Sequence, residues 1–208
     1  MAKFGLYGGS FDPPHLGHLR LARAAADSLS LEKVFIVPSG HSPGKHAPLA
    51  DDYDRLLMCE MTFTDEEERF VVDDRELRRE GESYTIDTLL ELQEQCHPEA
   101  VSTASLANNW CIIAGEDCLE SFHTWKSYRA ILSNCFLAIA RREQGSAPFK
   151  HSRLAPAERS RVRFIDVEPL VISSTEIRAM LANGQPIDEY VVPAVAEFIT
   201  RQGLYSSD

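Results

Sequence analysis

Two histidines at i and i+3, His15 and His18, follow a turn rich in glycine and proline, Gly8-Gly9-Ser10-Phe11-Asp12-Pro13-Pro14. The chemistry this pattern suits is the holding of phosphate. Paired glycines let the backbone approach a ligand closely. A helix beginning at the histidines would aim its free N–H groups at the same point. Two imidazoles one turn apart share a face and could donate hydrogen bonds to phosphate oxygens. Plainer readings stay open: Gly-Gly and Pro-Pro also build ordinary turns. A His pair can belong to a metal site, although no third ligand accompanies this one and the zinc-protease spacing is four. The segment is neither G-x-G-x-x-G nor a Walker A loop. Gly40-His41-Ser42-Pro43-Gly44-Lys45 comes nearer to the latter, but it is one residue short between its glycines and lacks the following Ser or Thr.

A second candidate lies near the other end of the chain, Ile172-Ser173-Ser174-Thr175-Glu176-Ile177-Arg178. Ser173 with Glu176 has the spacing of a capping box, which accounts for both residues without any ligand. It makes no demand on Arg178. A hydroxyl-rich helix start with an arginine one turn in is also an anion site.

These residues need elements to carry them. Short apolar runs predict strands at Lys3–Tyr7, Val34–Val37, Phe70–Val72, Cys111–Ala114, Cys135–Ala140 and Val162–Val167. Helical patterns cover Leu16–Leu29, Asp51–Phe63, Thr85–Cys96, Ser174–Ala182 and Pro193–Gln202. Strand–helix alternation at this spacing predicts a doubly wound parallel α/β sheet with right-handed connections. Ligands in such sheets bind beyond the carboxyl ends of the strands, where the first loop would lie.

The 208 residues, 44% hydrophobic and 25% charged, suit one globular domain spanning 1–208, with a helical portion from about 174, and exclude collagen, coiled coil and disorder. A net charge of −11 argues against nucleic acid as a partner, while leaving room for a local cationic pocket. One basic stretch, Arg141 to Arg163, holds seven Lys or Arg against Glu143 and Glu158, and reads more simply as a solvated loop than as the wall of a polyanion site. The five cysteines are scattered without a C-x-x-C pair, which fits a reducing cytoplasm better than a disulfide framework or zinc ribbon. No apolar signal core opens the chain, and no run approaches the roughly 18 apolar residues of a membrane span. The oligomeric state stays open, a homodimer among the options.

The first loop, through His15-Leu16-Gly17-His18, resembles the G-x-F-D-x-x-H-x-G-H signature of the nucleotidyltransferase superfamily. Members join a nucleoside triphosphate to a phosphorylated acceptor and release pyrophosphate. Ile172–Arg178 is similar to that superfamily's I-S-S-T-x-I-R motif, which holds the triphosphate, and the two motifs occur in the family's order. Ser83-Tyr84-Thr85-Ile86-Asp87-Thr88-Leu89 and Gly115-Glu116-Asp117-Cys118-Leu119, leading to Phe122 and Trp125, resemble stretches of the bacterial nicotinate-nucleotide adenylyltransferase family, as does the ending Gln202-Gly203-Leu204-Tyr205. The resemblance runs from Phe4 to about Tyr205 and is weakest over 145–159. The family's Pro-Pro-His-Lys loop after strand two is altered to Ser42-Pro43-Gly44-Lys45, which keeps the lysine.

The resemblance implies a Rossmann-like nucleotidyltransferase fold and adenylyl transfer from ATP to nicotinate mononucleotide, giving deamido-NAD, with Mg²⁺ held mainly by triphosphate and water. It implies an ATP site of Gly8, Gly9, Ser10, Phe11, His15, His18, Ser173, Ser174, Thr175 and Arg178. It implies an acceptor site of Lys45, Tyr84, Thr85, Asp117 and Trp125. His15, His18, Lys45 and Arg178 would steady the reacting phosphates, with His18 and Lys45 closest to the α-phosphate. The residue chemistry agrees. A flat, electron-poor pyridine suits stacking on Trp125, and backbone N–H groups at Tyr84 and Thr85 would prefer its carboxylate over a neutral carboxamide. The alternatives are the same reaction on nicotinamide mononucleotide, and a nucleotide-binding sensor that keeps the pocket without turnover.

Overall fold

A computed structural model describes residues 3–43, 47–64, 68–97, 109–141, 149, 152–168 and 172–206. Strands β1 (Phe4–Gly9), β2 (Lys33–Pro38), β3 (Phe70–Val72), β4 (Trp110–Gly115), β5 (Phe136–Ala140) and β6 (Val162–Ile165) form one sheet in the order β3-β2-β1-β4-β5-β6, with every pair parallel. This is the predicted doubly wound class. The order reverses at β1, which lies between β2 and β4, so the loop leaving β1 opens at the switch point.

Neighbouring residues of each strand face opposite sides of the sheet. Tyr7 and Ile36 belong to the core shared with α1 (Leu16–Leu29), while Leu6 and Phe35 belong to the core shared with α3 (Thr85–Cys96). Ala22, Ala25 and Ala26 of α1 are buried, and their small side chains let that helix sit close to the strands. On the other face Leu89 and Leu92 of α3 are fully buried. Each such leucine contributes about 1.5–3 kcal/mol. Helix α2 (Asp52–Thr62) bridges two cores: Cys59 faces the sheet, whereas Met58 packs with α7 (Ser174–Ala182) and α8 (Pro193–Gln202).

Helices α1, α3, α7 and α8 begin and end where their sequence patterns place them. Asp51 caps α2, accepting from the Asp54 N–H at 2.8 Å. β1 runs two residues beyond Tyr7, because Gly8 and Gly9 continue the pairing with Val37 and Pro38. β6 stops at Ile165 rather than Val167, where its ladder with β5 ends at Ala140. Between Cys118 and Arg159 the sequence analysis missed α4 (Cys118–Ser121), a 3-10 turn (Phe122–Thr124), α5 (Tyr128–Asn134) and α6 (Pro156–Arg159). Each is too short for a 3.6-residue period to show. Among the described residues, no helix is long and apolar enough to cross a membrane.

Candidate active site

The first loop leaves β1 through Gly9 and turns at Phe11, which is buried, has a φ of 47°, and packs edge-on to Tyr7 and His18 at 5.5 and 5.0 Å. His15 is the N-cap of α1 and has extended backbone. Its ring stacks on His18 at 3.7 Å, as the shared-face argument requires. The His15 backbone N–H donates to Nδ1 of His18 at 3.1 Å. That bond leaves Nε2 of a neutral His18 to carry the proton and act as donor. Burial lowers the His15 pKa to about 4, only partly opposed by Glu176. Burial and the His15 ring hold His18 well below its ordinary value. In the ligand-free protein the pair is therefore neutral at pH 7 and offers hydrogen bonds rather than charge.

The second motif meets the first across 161 residues of chain: Ser174 Oγ donates to the Pro13 carbonyl at 2.8 Å. Arg178 Nη1 donates to the Asp12 carbonyl at 2.6 Å and Nη2 to Thr175 Oγ1 at 3.2 Å. Both residues thus hold the two loops together. Ser173 caps α7, accepting from the Glu176 N–H at 3.2 Å. The reciprocal half of the expected capping box is replaced by a contact between side chains, with Ser173 Oγ donating to Glu176 Oε2 at 2.7 Å.

Three residues outside the sequence-derived site organise it. Asp12 is buried, and its carboxylate accepts from the Leu49 and Ala50 N–H groups at 2.8 and 3.1 Å and from the Tyr205 hydroxyl at 2.7 Å. Burial and Asp12 together raise the Tyr205 pKa. Arg55, with no exposed side chain, donates to the Ser10 carbonyl at 2.8 Å and to Asp52 at 2.6 Å. Asp12 stood within the quoted signature without a role. Arg55 had a readable signal, since it shares the buried face of α2 with Met58, Cys59 and Thr62 at helical spacing, where a cation needs a partner.

Beside this lattice lies a cavity of about 440 Å³, floored by Gly8 and Gly9 and walled by Ser42, Tyr84, Thr85 and Trp125. Tyr84 is the N-cap of α3 and Thr85 its first residue, so the helix supplies no carbonyl for the first amides there. Half-buried Trp125 packs against Phe122 at 5.1 Å. Lys126, missed by the sequence analysis, also lines the cavity; its ammonium lies 4.1 Å from the Tyr84 ring centroid and 3.0 Å from Asp87. The Tyr84 hydroxyl donates to Glu82. Asp117 stands apart from this lining: it is exposed, and a Cβ on Gly115 would fall 2.6 Å from its Oδ1. Lys45 and His46 lie outside the described residues, as does much of the basic stretch. Of the described arginines there, Arg141, Arg159 and Arg163 lie over the rings of Phe164, Phe149 and Phe136.

The model of the cytidylyltransferase-like family matches residues 6–180. A probable nicotinate-nucleotide adenylyltransferase of Neisseria meningitidis serogroup B is 38% identical over 210 residues, covering 99% of each chain. One from Aeromonas salmonicida is 34% identical over 226 residues, covering 100% of this chain and 99% of its own. Among solved structures, the Plasmodium falciparum nicotinic acid mononucleotide adenylyltransferase complexed with NaAD superposes with a TM-score of 0.68 at 19% identity, covering 99% of this chain and 98% of the other. A putative nicotinate-nucleotide adenylyltransferase from Vibrio parahaemolyticus gives 0.67 at 20% identity, covering 100% and 98%. At such identities these superpositions speak for the fold.

Proposed function

The chain belongs to the nicotinate-nucleotide adenylyltransferases, within the cytidylyltransferase-like family, and from that premise we propose how its own residues carry the reaction. The enzyme transfers the adenylyl group of ATP to nicotinate mononucleotide in NAD biosynthesis, giving deamido-NAD and pyrophosphate. The acceptor's 5′-phosphate is already ionised at pH 7, so no side-chain nucleophile or strong base is required. One of its oxygens attacks the α-phosphorus in line, the bond from that phosphorus to the bridging oxygen breaks, and pyrophosphate leaves with the electron pair. Catalysis is then positioning and stabilisation of spreading negative charge.

The first loop and the α7 N-terminus grip the triphosphate: Gly8, Gly9, Ser10 and Phe11 shape one side, and Ser173, Ser174, Thr175 and Arg178 the other. His18 donates from Nε2 to the α-phosphate, with His15 stacked beside it. An arriving polyanion raises the pKa of both imidazoles, so the pair gains charge as the substrate binds. Lys45 supplies a cation from the loop after β2. Mg²⁺ would enter as part of the Mg–ATP substrate, held mainly by triphosphate oxygens and water, and would offset their charge. The acceptor occupies the 440 Å³ cavity, with its pyridine on Trp125 and its carboxylate at the Tyr84 and Thr85 amides. Asp117, two residues beyond β4, is assigned to the acceptor by the resemblance alone, since the cavity lining does not include it. A cytoplasmic setting accords with the five free thiols.

The observation that carries this reading is the meeting of the two distant anion loops through Ser174–Pro13 and Arg178–Asp12 beside a cavity edged by a free helix start. Pyrophosphate release with Mg–ATP, measured side by side on nicotinate and nicotinamide mononucleotides, tests it. A strong preference for the acid is expected. Equal rates would remove the carboxylate assignment of Tyr84 and Thr85, and no pyrophosphate from either would overturn the reaction.

A further inference from the structure

We propose that Glu76 is a positioning residue for the acceptor: its carboxylate, set between the loop after β2 and the first turns of α3, fixes the two walls of the acceptor cavity relative to each other. The proposal rests on reading that cavity as the acceptor site. One wall is Ser42 and Pro43 and the other is Tyr84 and Thr85, with Glu76 between them. A second cavity of about 590 Å³ is lined by residues 39–42 and also by Glu76. Ser39, Ser42 and Glu76 therefore border both spaces.

The braces all converge on the segment containing Glu76. A Cβ on Gly40 would come within 2.1 Å of the Glu76 carbonyl oxygen, a backbone atom that cannot swing aside, so the loop rests directly on the Glu76 main chain. His41 and Glu82 form a parallel bridge, in which the Ser83 N–H donates to the His41 carbonyl at 2.8 Å. Glu76 is 9% exposed, and its carboxylate accepts from Thr88 Oγ1 of α3 at 2.6 Å. Arg79 donates to the same Thr88 oxygen at 3.1 Å and to Glu91 at 2.7 Å. Burial raises the Glu76 pKa, with Glu91 adding to the rise, while Thr88, Arg79 and the Gly40 backbone oppose it. Glu76 thus supports the loop at Gly40 through its main chain and is tied to the helix at Thr88 through its carboxylate.

The electrostatics separate positioning from binding. A carboxylate beside a pocket for an acceptor bearing a phosphate and a carboxylate repels it, so Glu76 serves the site through the geometry it imposes. Its hydrogen-bond partner Thr88 belongs to α3, the helix that carries Tyr84 and Thr85 at its start, so its effect should fall on the acceptor rather than on ATP.

The test combines kinetics of the full-length enzyme with amide hydrogen exchange of the ligand-free protein. Glu76→Ala should raise the KM for nicotinate mononucleotide about 10-fold while the KM for Mg–ATP stays within about 2-fold. Glu76→Gln, which keeps an oxygen for Thr88, should recover most of the acceptor KM. The Ser83 N–H should exchange about 10-fold faster in Glu76→Ala, and near the parent rate in Glu76→Gln. An unchanged acceptor KM, an equal rise in the ATP KM, or an unchanged Ser83 exchange rate would overturn the proposal. Should Glu76→Ala fail to fold, Thr88→Val removes the same bond with little change of volume. It should raise the acceptor KM about 3-fold, and no rise overturns the assignment. A parent enzyme inactive on nicotinate mononucleotide would instead sink the reading of the cavity, and Ser83 exchange would still decide whether Glu76 holds the wall.

Discussion

The two sides of the cleft are built differently. On the side proposed for the triphosphate the framework is tightly bonded: Asp12 accepts three hydrogen bonds, Arg55 is wholly buried against Ser10, and Arg178 and Ser174 bind carbonyls of the opposite loop. On the acceptor side the groups are looser. Lys126 is 46% exposed, Trp125 is half-buried, and the walls meet through the few contacts around Glu76. On the proposed assignment the first side grips the triphosphate, where a preorganised frame lowers the reorganisation needed at reaction. The second side holds the acceptor, where selectivity depends on a few adjustable contacts. Changes on the first side should therefore damage turnover or folding, and changes on the second should alter preference.

The largest expected effect is at His18. His18→Ala should lower kcat by about 10²–10³, the usual loss for one preorganised donor at a reacting phosphate. A rate within a few-fold of the parent would remove His18 from its role. Next, Asp12→Ala strands two amide donors and the Tyr205 hydroxyl, and should cost about 2–4 kcal/mol in urea unfolding. A cost near zero would show the frame to be less coupled than its bonds suggest.

The histidine pair makes a pH prediction on the same side. The folded His15 pKa, about 4, lies below its ordinary 6.5, so the unfolded chain binds more protons between those values. The stabilisation is complete above pH 6.5 and is lost as pH falls toward about 4, and His18 acts in the same direction. His15→Asn should flatten the fall in stability between pH 7 and 5, while an unaltered slope would assign it to other groups. Smaller still, Tyr205→Phe should cost about 0.5–1.5 kcal/mol and raise the ATP KM more than the acceptor KM. The smallest effect belongs to the acceptor side. Lys126→Met should reduce the preference for acid over amide only about 2- to 5-fold, because so exposed a cation is well screened. A larger loss would mean that a side-chain charge, rather than the helix amides, reads the carboxylate.

Much of this frame was legible in the sequence, for reasons that also mark its limits. Helices α1 and α3 carry apolar residues at helical spacing over at least three turns, and Ser173 caps α7 as its spacing with Glu176 predicts. The joint role of the first loop and 172–178 came through the resemblance, which assigned both to the triphosphate. The partners of Asp12 were not legible, because they lie 37, 38 and 193 residues away and no local pattern links them. The neutrality of His15 and His18 was also hidden, since it comes from burial contributed by distant segments. Lys126 follows Trp125 directly, but nothing in that adjacency says it lines a pocket. Lys45 was assigned by resemblance, and its placement lies outside the described residues.

The Tyr205–Asp12 bond also has a bearing on synthesis. Asp12 emerges from the ribosome 193 residues before the hydroxyl that completes its shell. At about 5–20 residues per second, that interval is roughly 10–40 s. Throughout it the nascent chain carries a first loop whose carboxylate lacks one of its donors. The nucleotide site proposed there is therefore finished well after its signature has been translated.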